Sequence, residues 1–151
     1  EPVEPGVPGQ TYTAAIVRKN SDQITTDIAD GSINSYLSIT NGPGLVVSFA
    51  ANASTIKTIF NNAASEFRLY AGSGTGGEIK IESIDNVEFT SITITLSGTN
   101  TGFSVNGGAT DTTTNGPVTI TLAAATKSIS ILNVGSGQVR IKSIEVTYSV
   151  I

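Results

Sequence analysis

The sequence has 151 residues with a formal net charge of −4, and only 13% of its residues are charged. The length suits one domain with a sizeable core, and the composition excludes the charge-rich, Pro-rich pattern of a disordered chain. Eight Lys and Arg residues without a basic run exclude a nucleic-acid footprint, and the lack of an apolar run of about 18 residues excludes a membrane-spanning helix.

Four residue types are missing from the chain, namely Cys, His, Met and Trp. Without Cys there is no disulfide framework, and without His a Ser triad lacks its usual base and zinc lacks its best ligands. Paired carboxylates, as in glycosidases, would need a cleft with aromatic platforms, which four Tyr, five Phe and no Trp supply poorly. We therefore expect the protein not to be an enzyme.

The missing residues also bear on where the protein works. A chain without Met is either a processed mature chain or an excised domain. Its thiol-free, weakly acidic and Thr/Ser/Asn-rich composition is typical of bacterial secreted and cell-surface proteins. We expect an extracellular or bacterial cell-surface location after removal of a signal peptide.

The first ten residues, EPVEPGVPGQ, contain three of the five prolines. Proline fixes φ and removes a backbone donor, so we predict an extended N-terminal arm over residues 1–10, ahead of a single domain at 11–151. The arm is either a linker or tail, or a segment held by a neighbouring molecule. In the second interpretation it adds a strand to a sheet edge of that neighbour, using Pro2, Val3, Pro5, Val7, Pro8 and Tyr12.

Alternating apolar and polar residues predict strands through most of the remaining chain. The first four strands are predicted at residues 11–19, 32–40, 45–50 and 66–71. LVVSFA, at 45–50, is too apolar on both faces for a sheet edge. Residues 54–64 leave two alternatives, one or two helical turns or a packed loop, because apolar residues recur there at helical spacing.

Two octets, GEIKIESI (77–84) and GQVRIKSI (137–144), share four residues in register. In both, the apolar parity slips by one residue, which requires a β-bulge or a strand corner that carries the chain into the other sheet. We predict a bend at 82–83 and at 142–143, with Glu82 and Lys142 facing water. Internal duplication and convergence on a common strand pattern both explain the likeness.

A second echo links SITITL (91–96) and PVTITL (117–122), each with aliphatic residues on one face and Thr on the other. Further strands are predicted at 103–105, 128–134 and 138–150. About ten short strands with at most one short helical turn predict an all-β fold, a two-sheet antiparallel sandwich of jelly-roll-like form.

Three segments carry a resemblance, namely Arg68-Leu69-Tyr70, residues 90–96 and Arg140 to Tyr148. Together they resemble an accessory β-sandwich module of bacterial secreted and surface proteins, often found beside extracellular nucleases or other hydrolases. The resemblance covers about residues 30–149 and implies a sandwich fold, with no catalytic residues to carry over. The chain departs from the module in its Pro-rich arm and in lacking the Trp often found near the penultimate hairpin.

Calcium is the one cofactor that the loops could hold, because hard oxygen ligands from Asp, Asn and carbonyl groups suit β-sandwich loops. Asp27, Asp30 and Asn34 form the first candidate set, and Asp111 with Asn115 the second. The alternative is that these side chains cap turns by bonding their own backbone.

Strand residues supply the candidate contacts for another ligand, namely Arg68, Tyr70 and Arg140. The alternative is that Arg68, Arg140 and Lys142 are solvated side chains or cross-strand partners of Glu residues.

Two functional hypotheses follow. In the first, the chain is a structural subunit of a bacterial surface filament or adhesin stalk, and its partners are other copies of itself joined through the arm. In the second, it is an accessory module of a larger secreted protein and binds a glycan or matrix polymer. Neither hypothesis involves nucleic acid or a membrane span.

Overall fold

The computed structural model describes residues 6–18, 24–38, 43–83 and 85–151, which form eleven strands and one short 3₁₀ helix, Gly31–Tyr36. The larger sheet contains β1 (Thr11–Arg18), β2 (Leu37–Ser38), β4 (Ile59–Asn61), β5 (Glu66–Leu69), β7 (Val87–Leu96), β9 (Gly116–Thr126) and β11 (Val139–Val150). The smaller sheet has the order β3-β6-β10-β8, with β3 (Leu45–Ala50), β6 (Glu78–Ser83), β8 (Phe103–Val105) and β10 (Ser128–Asn133).

Strand β11 organises the larger sheet. One of its edges pairs with β7 over nearly its whole length, and β9 lies beyond β7. The other edge is shared, because β5 pairs with residues 139–141 and β1 with residues 144–149. All of these pairs are antiparallel. The predicted two-sheet antiparallel sandwich is therefore confirmed.

The core lies between the sheets because side chains alternate across each strand. The largest side chains that are fully buried there are Tyr148, Phe67, Phe89 and Phe103. Phe67 packs edge-on against Phe60 with ring centroids 5.0 Å apart, and Tyr148 lies between Tyr12 and Phe89 at 5.9 and 5.7 Å. Within the described residues, no helix has the length and apolar character needed to cross a lipid bilayer.

One octet contains the predicted β-bulge, and the other contains the predicted passage from one sheet to the other. In the second copy the register of β11 against β7 shifts between Ile141 and Ser143, so Lys142 is the extra residue of a bulge and the strand stays in one sheet. In the first copy β6 ends at Ser83 in the smaller sheet, and the chain resumes at Val87 in the larger one. Glu82 and Lys142 both face solvent, as predicted. Residue 84 lies outside the described residues.

The prediction of a strand over 32–40 is wrong for its first half. Residues 31–36 form the 3₁₀ helix instead, and only β2 is extended, while 39–40 lie outside the described residues. Side chains favour the helix, because Asp30 Oδ1 accepts from Ser32 N at 2.9 Å and Asn34 Nδ2 donates to Gly31 O at 3.0 Å. For residues 54–64 the loop alternative is correct, with the short strand β4 inside the segment and a turn after it.

The prediction that LVVSFA avoids a sheet edge is also wrong, because among the described strands β3 pairs only with β6. Its free edge is covered by one side chain rather than by a strand. Asn34 Oδ1 accepts from Val47 N at 2.8 Å, and Asn34 Nδ2 donates to Val47 O at 2.9 Å. A side-chain amide thus makes the hydrogen bonds that a neighbouring strand would make, which protects an apolar edge.

The described part of the N-terminal arm lies against its own domain. Gly9 N donates to Val150 O at 2.9 Å, Val150 N donates to Gln10 O at 3.2 Å, and Val7 N donates to Tyr12 Oη at 2.9 Å. Tyr12 itself belongs to β1, while Pro2, Val3 and Pro5 lie outside the described residues. The described residues therefore give no support to the filament hypothesis.

Burial of Tyr148 predicts a loss of stability in strong base. Desolvation, with smaller effects of Tyr12 and Asp85, raises the pKa of Tyr148 to about 12, against 10.0 for the free side chain. The folded state therefore binds the phenolic proton more tightly than the unfolded chain. This contribution to the free energy of unfolding is fully present below about pH 10. About 2–3 kcal/mol is expected to be lost as the pH rises to about 12.

Urea unfolding of the wild type and Tyr148→Phe at pH 8, 10, 11 and 12 measures this effect. The variant loses the hydrogen bond from Tyr148 Oη to Pro43 O (3.0 Å), so it should start about 1 kcal/mol lower at pH 8. Between pH 10 and 12 its free energy of unfolding should fall less steeply than that of the wild type. Parallel pH profiles would contradict the assignment.

Candidate functional site

The outer face of the larger sheet presents hydroxyl groups in cross-strand rows. Because β1, β11, β7 and β9 are neighbours, their registers bring outward side chains into line. One row is formed by Thr13, Thr147, Ser91 and Thr121. The next two rows add Thr93 and Thr119, then Ser143 and Thr95. We call these eight side chains the hydroxyl face.

Strand geometry makes the hydroxyl face regular. Neighbouring strands lie about 4.8 Å apart, and outward residues recur roughly every 6.7 Å along a strand. The remaining positions of the same rows hold Ala15, Glu145 and Pro117, so the face has small side chains and a single charge. None of these row positions holds an aromatic side chain, because Tyr12 and Tyr148 point into the sandwich.

Hydroxyl groups on and beside this face bond to one another or to the backbone. Thr93 Oγ1 lies 2.9 Å from Thr119 Oγ1, and Thr11 Oγ1 lies 3.1 Å from Ser149 Oγ, both across strand pairs. A hydroxyl group has one donor and two acceptor lone pairs, so each member of such a pair keeps hydrogen-bonding capacity towards solvent or a ligand. The pairing restricts rotation and orients that capacity outward.

A cationic cluster adjoins the hydroxyl face where β5 pairs with β11. Its centre is Glu66, whose side chain is only 4% exposed. Glu66 Oε2 lies 2.9 Å from Arg68 Nε and 3.6 Å from Arg140 Nε, and Glu66 Oε1 lies 3.8 Å from Lys142 Nζ. We call these four residues the Glu66 cluster. It contains three cations and one carboxylate, a formal charge of +2.

The three cations differ in how firmly they are held. The hydrogen bond to Glu66 raises the pKa of Arg68 above its usual value, against the opposing effect of desolvation, and Tyr70 reinforces the rise. Arg68 is also the most enclosed, with 23% of its side chain exposed, against 42% for Arg140 and 48% for Lys142. The structure thus brings Arg68 and Arg140 together at Glu66, with Tyr70 beside Arg68. Arg140 is a cross-strand partner of Glu66, whereas Arg68 lies on the same strand.

Glu66 is the residue that sequence reasoning missed. The alternation in EFRL places Glu66 and Arg68 on one face, which was the available signal. Its pairing with Arg140 and Lys142 depends on β5 lying beside β11, some 70 residues later in the chain, and short-range patterns carry no such information.

The candidate calcium residues all make hydrogen bonds within the protein, some of them between distant segments of the chain. Asp27 Oδ1 accepts from Asn62 N at 2.9 Å, and Asp111 Oδ1 accepts from Thr113 N at 2.8 Å. Asp30 and Asn34 serve the 3₁₀ helix and the β3 edge, and Asn115 Oδ1 accepts from Gly98 N at 2.7 Å. Among the described residues no three acidic side chains group as metal ligands. Calcium binding stays a prediction.

No protein-family model matches the chain, and no curated protein sequence matches it. Among solved structures, CpGH89CBM32-6 from Clostridium perfringens is 12% identical with a TM-score of 0.43, over 68% of this chain and 91% of that one. A family 32 CBM from C. perfringens NanJ in complex with galactose is 14% identical with a TM-score of 0.35, over 91% and 93%.

A third similar structure is CBM86, a low affinity xylan binding module from Roseburia intestinalis. It is 15% identical with a TM-score of 0.39, over 70% of this chain and 96% of that one. Because all three TM-scores are below 0.5, these structural similarities do not indicate a function for this chain.

Proposed function

We propose that this domain is a non-catalytic extracellular accessory module that binds a glycan or a matrix polymer on its hydroxyl face. The observation that carries the proposal is the alignment of eight Ser and Thr side chains over four adjacent strands. Extended polymers that bear hydroxyl groups need a long, unobstructed surface with both donors and acceptors, and Ser and Thr supply both.

The scarcity of charge on this face separates the proposal from simple solvation. Solvent-facing strands are commonly protected by Lys and Glu, and soluble surfaces carry mixed charges. Here Glu145 is the one charged side chain in the three rows, although most outward side chains of β11 and β7 are only half-buried. The sequence resemblance to accessory modules of secreted bacterial proteins supports the same class of function.

Affinity electrophoresis against a panel of soluble polysaccharides, with and without calcium, tests the proposal, and xylan and galactan are suitable first probes. The variant Thr93→Val/Thr119→Val removes two hydroxyl groups at nearly constant volume. Because each lost hydrogen bond is worth about 0.5–1.5 kcal/mol, binding should weaken roughly tenfold. Thr112→Val/Thr114→Val, in the exposed loop before β9, is the matched control and should bind like the wild type.

Two results would overturn the proposal. Failure of the wild type to bind any polymer, with or without calcium, would remove the function. Equal binding by the wild type and Thr93→Val/Thr119→Val would remove the hydroxyl face from it.

A further inference from the structure

Among the described residues, the Glu66 cluster concentrates positive charge that one carboxylate neutralises only in part. The chain as a whole carries a net charge of −4, yet three of its eight Lys and Arg residues meet here. One carboxylate offsets one of these cations, which leaves two positive charges on an otherwise weakly charged surface. A patch of one sign attracts ligands of the opposite sign and raises their association rate.

The strand register places two of these cations opposite each other, which destabilises the sheet unless another charged group compensates for them. Arg68 and Arg140 face each other directly across the β5–β11 pair, and like charges in that position destabilise a sheet. Glu66 compensates for both through one oxygen atom, Oε2. Lys142 then adds a third cation at the bulge, next to an already paired carboxylate.

Several donors of the cluster bond the protein itself, among them Lys142 Nζ, which donates to Ala64 O at 3.1 Å. A guanidinium group has five N–H donors, and Glu66 occupies the Nε–H of Arg68 at 2.9 Å. Gln138, in the amide orientation that satisfies its neighbours, accepts from Arg140 Nε at 2.9 Å and Nη2 at 2.6 Å. These contacts hold the guanidinium groups of Arg68 and Arg140 in place, while about 42% of the Arg140 side chain stays exposed. Fixed guanidinium groups suit carboxylates because two parallel hydrogen bonds can form.

The cluster is continuous with the hydroxyl face. Lys142 is followed by Ser143, which pairs with Thr95 in the third hydroxyl row. From Arg140 to Thr147 the strand β11 runs roughly 23 Å at about 3.3 Å per residue, so one extended polymer can contact both surfaces.

We propose that Arg68, Arg140 and Lys142 bind the carboxylate groups of an acidic polysaccharide, whose sugar hydroxyl groups lie on the hydroxyl face. This inference rests on the proposed polymer-binding function and adds the chemical class of the ligand, a chain that contains uronic acids. All three cations contact the ligand, with Arg140 and Lys142 the more exposed, while Glu66 holds Arg68 and Arg140 in position.

A comparison of two forms of one polymer tests the inference with the unaltered protein. Polygalacturonate presents a carboxylate on each sugar, and full methyl esterification neutralises these groups without changing the backbone. The wild type should bind polygalacturonate at least about tenfold more tightly than the ester, since charge-assisted hydrogen bonds exceed neutral ones. Raising NaCl from 50 to 500 mM should weaken binding to the acidic form only.

Two charge-matched variants locate the site. Arg140→Gln/Lys142→Gln should weaken polygalacturonate binding about tenfold or more, with little change for the ester. Lys57→Gln/Lys80→Gln removes the same charge from exposed positions elsewhere and should change binding less than twofold. Arg140→Lys, which keeps the charge but loses the planar fork, should fall between them. Far-UV circular dichroism and thermal unfolding check that the variants are folded.

The outcomes separate this inference from the function on which it rests. Equal affinity for the acidic and esterified polymers, or an unchanged Arg140→Gln/Lys142→Gln variant, would overturn the acidic ligand while polymer binding stands. Failure to bind any polymer, charged or neutral, would overturn both. Preference for dextran sulfate over polygalacturonate would overturn the assignment to carboxylates. If a variant does not fold, the comparison of the two polymers with the wild type still decides.

Discussion

Replacing Asn133 with leucine is expected to lower the free energy of unfolding by about 3–5 kcal/mol. Asn133 is fully buried at the end of β10 in the smaller sheet. Its Nδ2 donates to Leu69 O in the larger sheet at 2.8 Å and to Gly137 O at 2.9 Å, while its Oδ1 accepts from Gly135 N at 2.9 Å. One amide thus joins the two sheets and the turn before β11.

The size of the effect follows from what leucine leaves behind. Leucine has the branching and the number of side-chain heavy atoms of asparagine but a larger volume, so no cavity forms and some overpacking adds to the loss. Three backbone groups would lose their partner in a dry site, and each unsatisfied buried group costs about 1–3 kcal/mol before the structure relaxes. The backbone of Asn133, which bonds Gly76 N and Gly77 O at 2.8 and 2.9 Å, holds the position and limits that relaxation.

Chemical denaturation with linear extrapolation measures the change. Asn62→Leu is the matched control, because Asn62 Nδ2 makes one exposed hydrogen bond to Thr25 O at 3.1 Å and water can replace it. The control should lose less than about 1 kcal/mol. A loss below about 1.5 kcal/mol for Asn133→Leu would mean that water enters the site and satisfies the freed groups.

Most strands could be predicted from the sequence because burial of one face imposes a period of two. LVVSFA, FSV and SISILN were located to within a residue, since their inward positions are Val, Ile, Leu or Phe except for Asn133. The failure at residues 32–36 has a local cause. Asp30 and Asn34 bond nearby backbone groups there, and this favours a 3₁₀ turn over an extended strand with similar alternation.

The candidate site was less predictable because it depends on which strands become neighbours. The Thr positions of β7 and β9 were visible as the repeated Thr-Ile-Thr, and their face was correctly predicted to be polar. Their alignment with Thr13 and Thr147 required the order β1-β11-β7-β9, which joins segments more than 100 residues apart. The Glu66 cluster and the edge position of β3 depend on strand order in the same way.

Replacing Glu66 with glutamine is expected to lower the free energy of unfolding by about 2–4 kcal/mol at low ionic strength. Glutamine preserves the shape of the side chain, so the change isolates its charge. Without the carboxylate, Arg68 and Arg140 face each other directly, with Lys142 close by. The loss should be smaller than for a fully buried ion pair, because Arg140 and Lys142 are nearly half exposed and solvent screens them.

Salt separates this charge effect from a packing defect. The Debye length shortens from about 10 Å at 0.1 M to about 3 Å at 1 M, so 1 M NaCl should recover part of the loss in Glu66→Gln. Urea unfolding at both salt concentrations provides the measurement. Glu82→Gln, at an exposed position on β6, is the control and should change the free energy of unfolding by less than about 0.5 kcal/mol. A loss in Glu66→Gln that is the same at both salt concentrations would show that Glu66 acts through its hydrogen bonds and packing, and not by compensating three neighbouring cations.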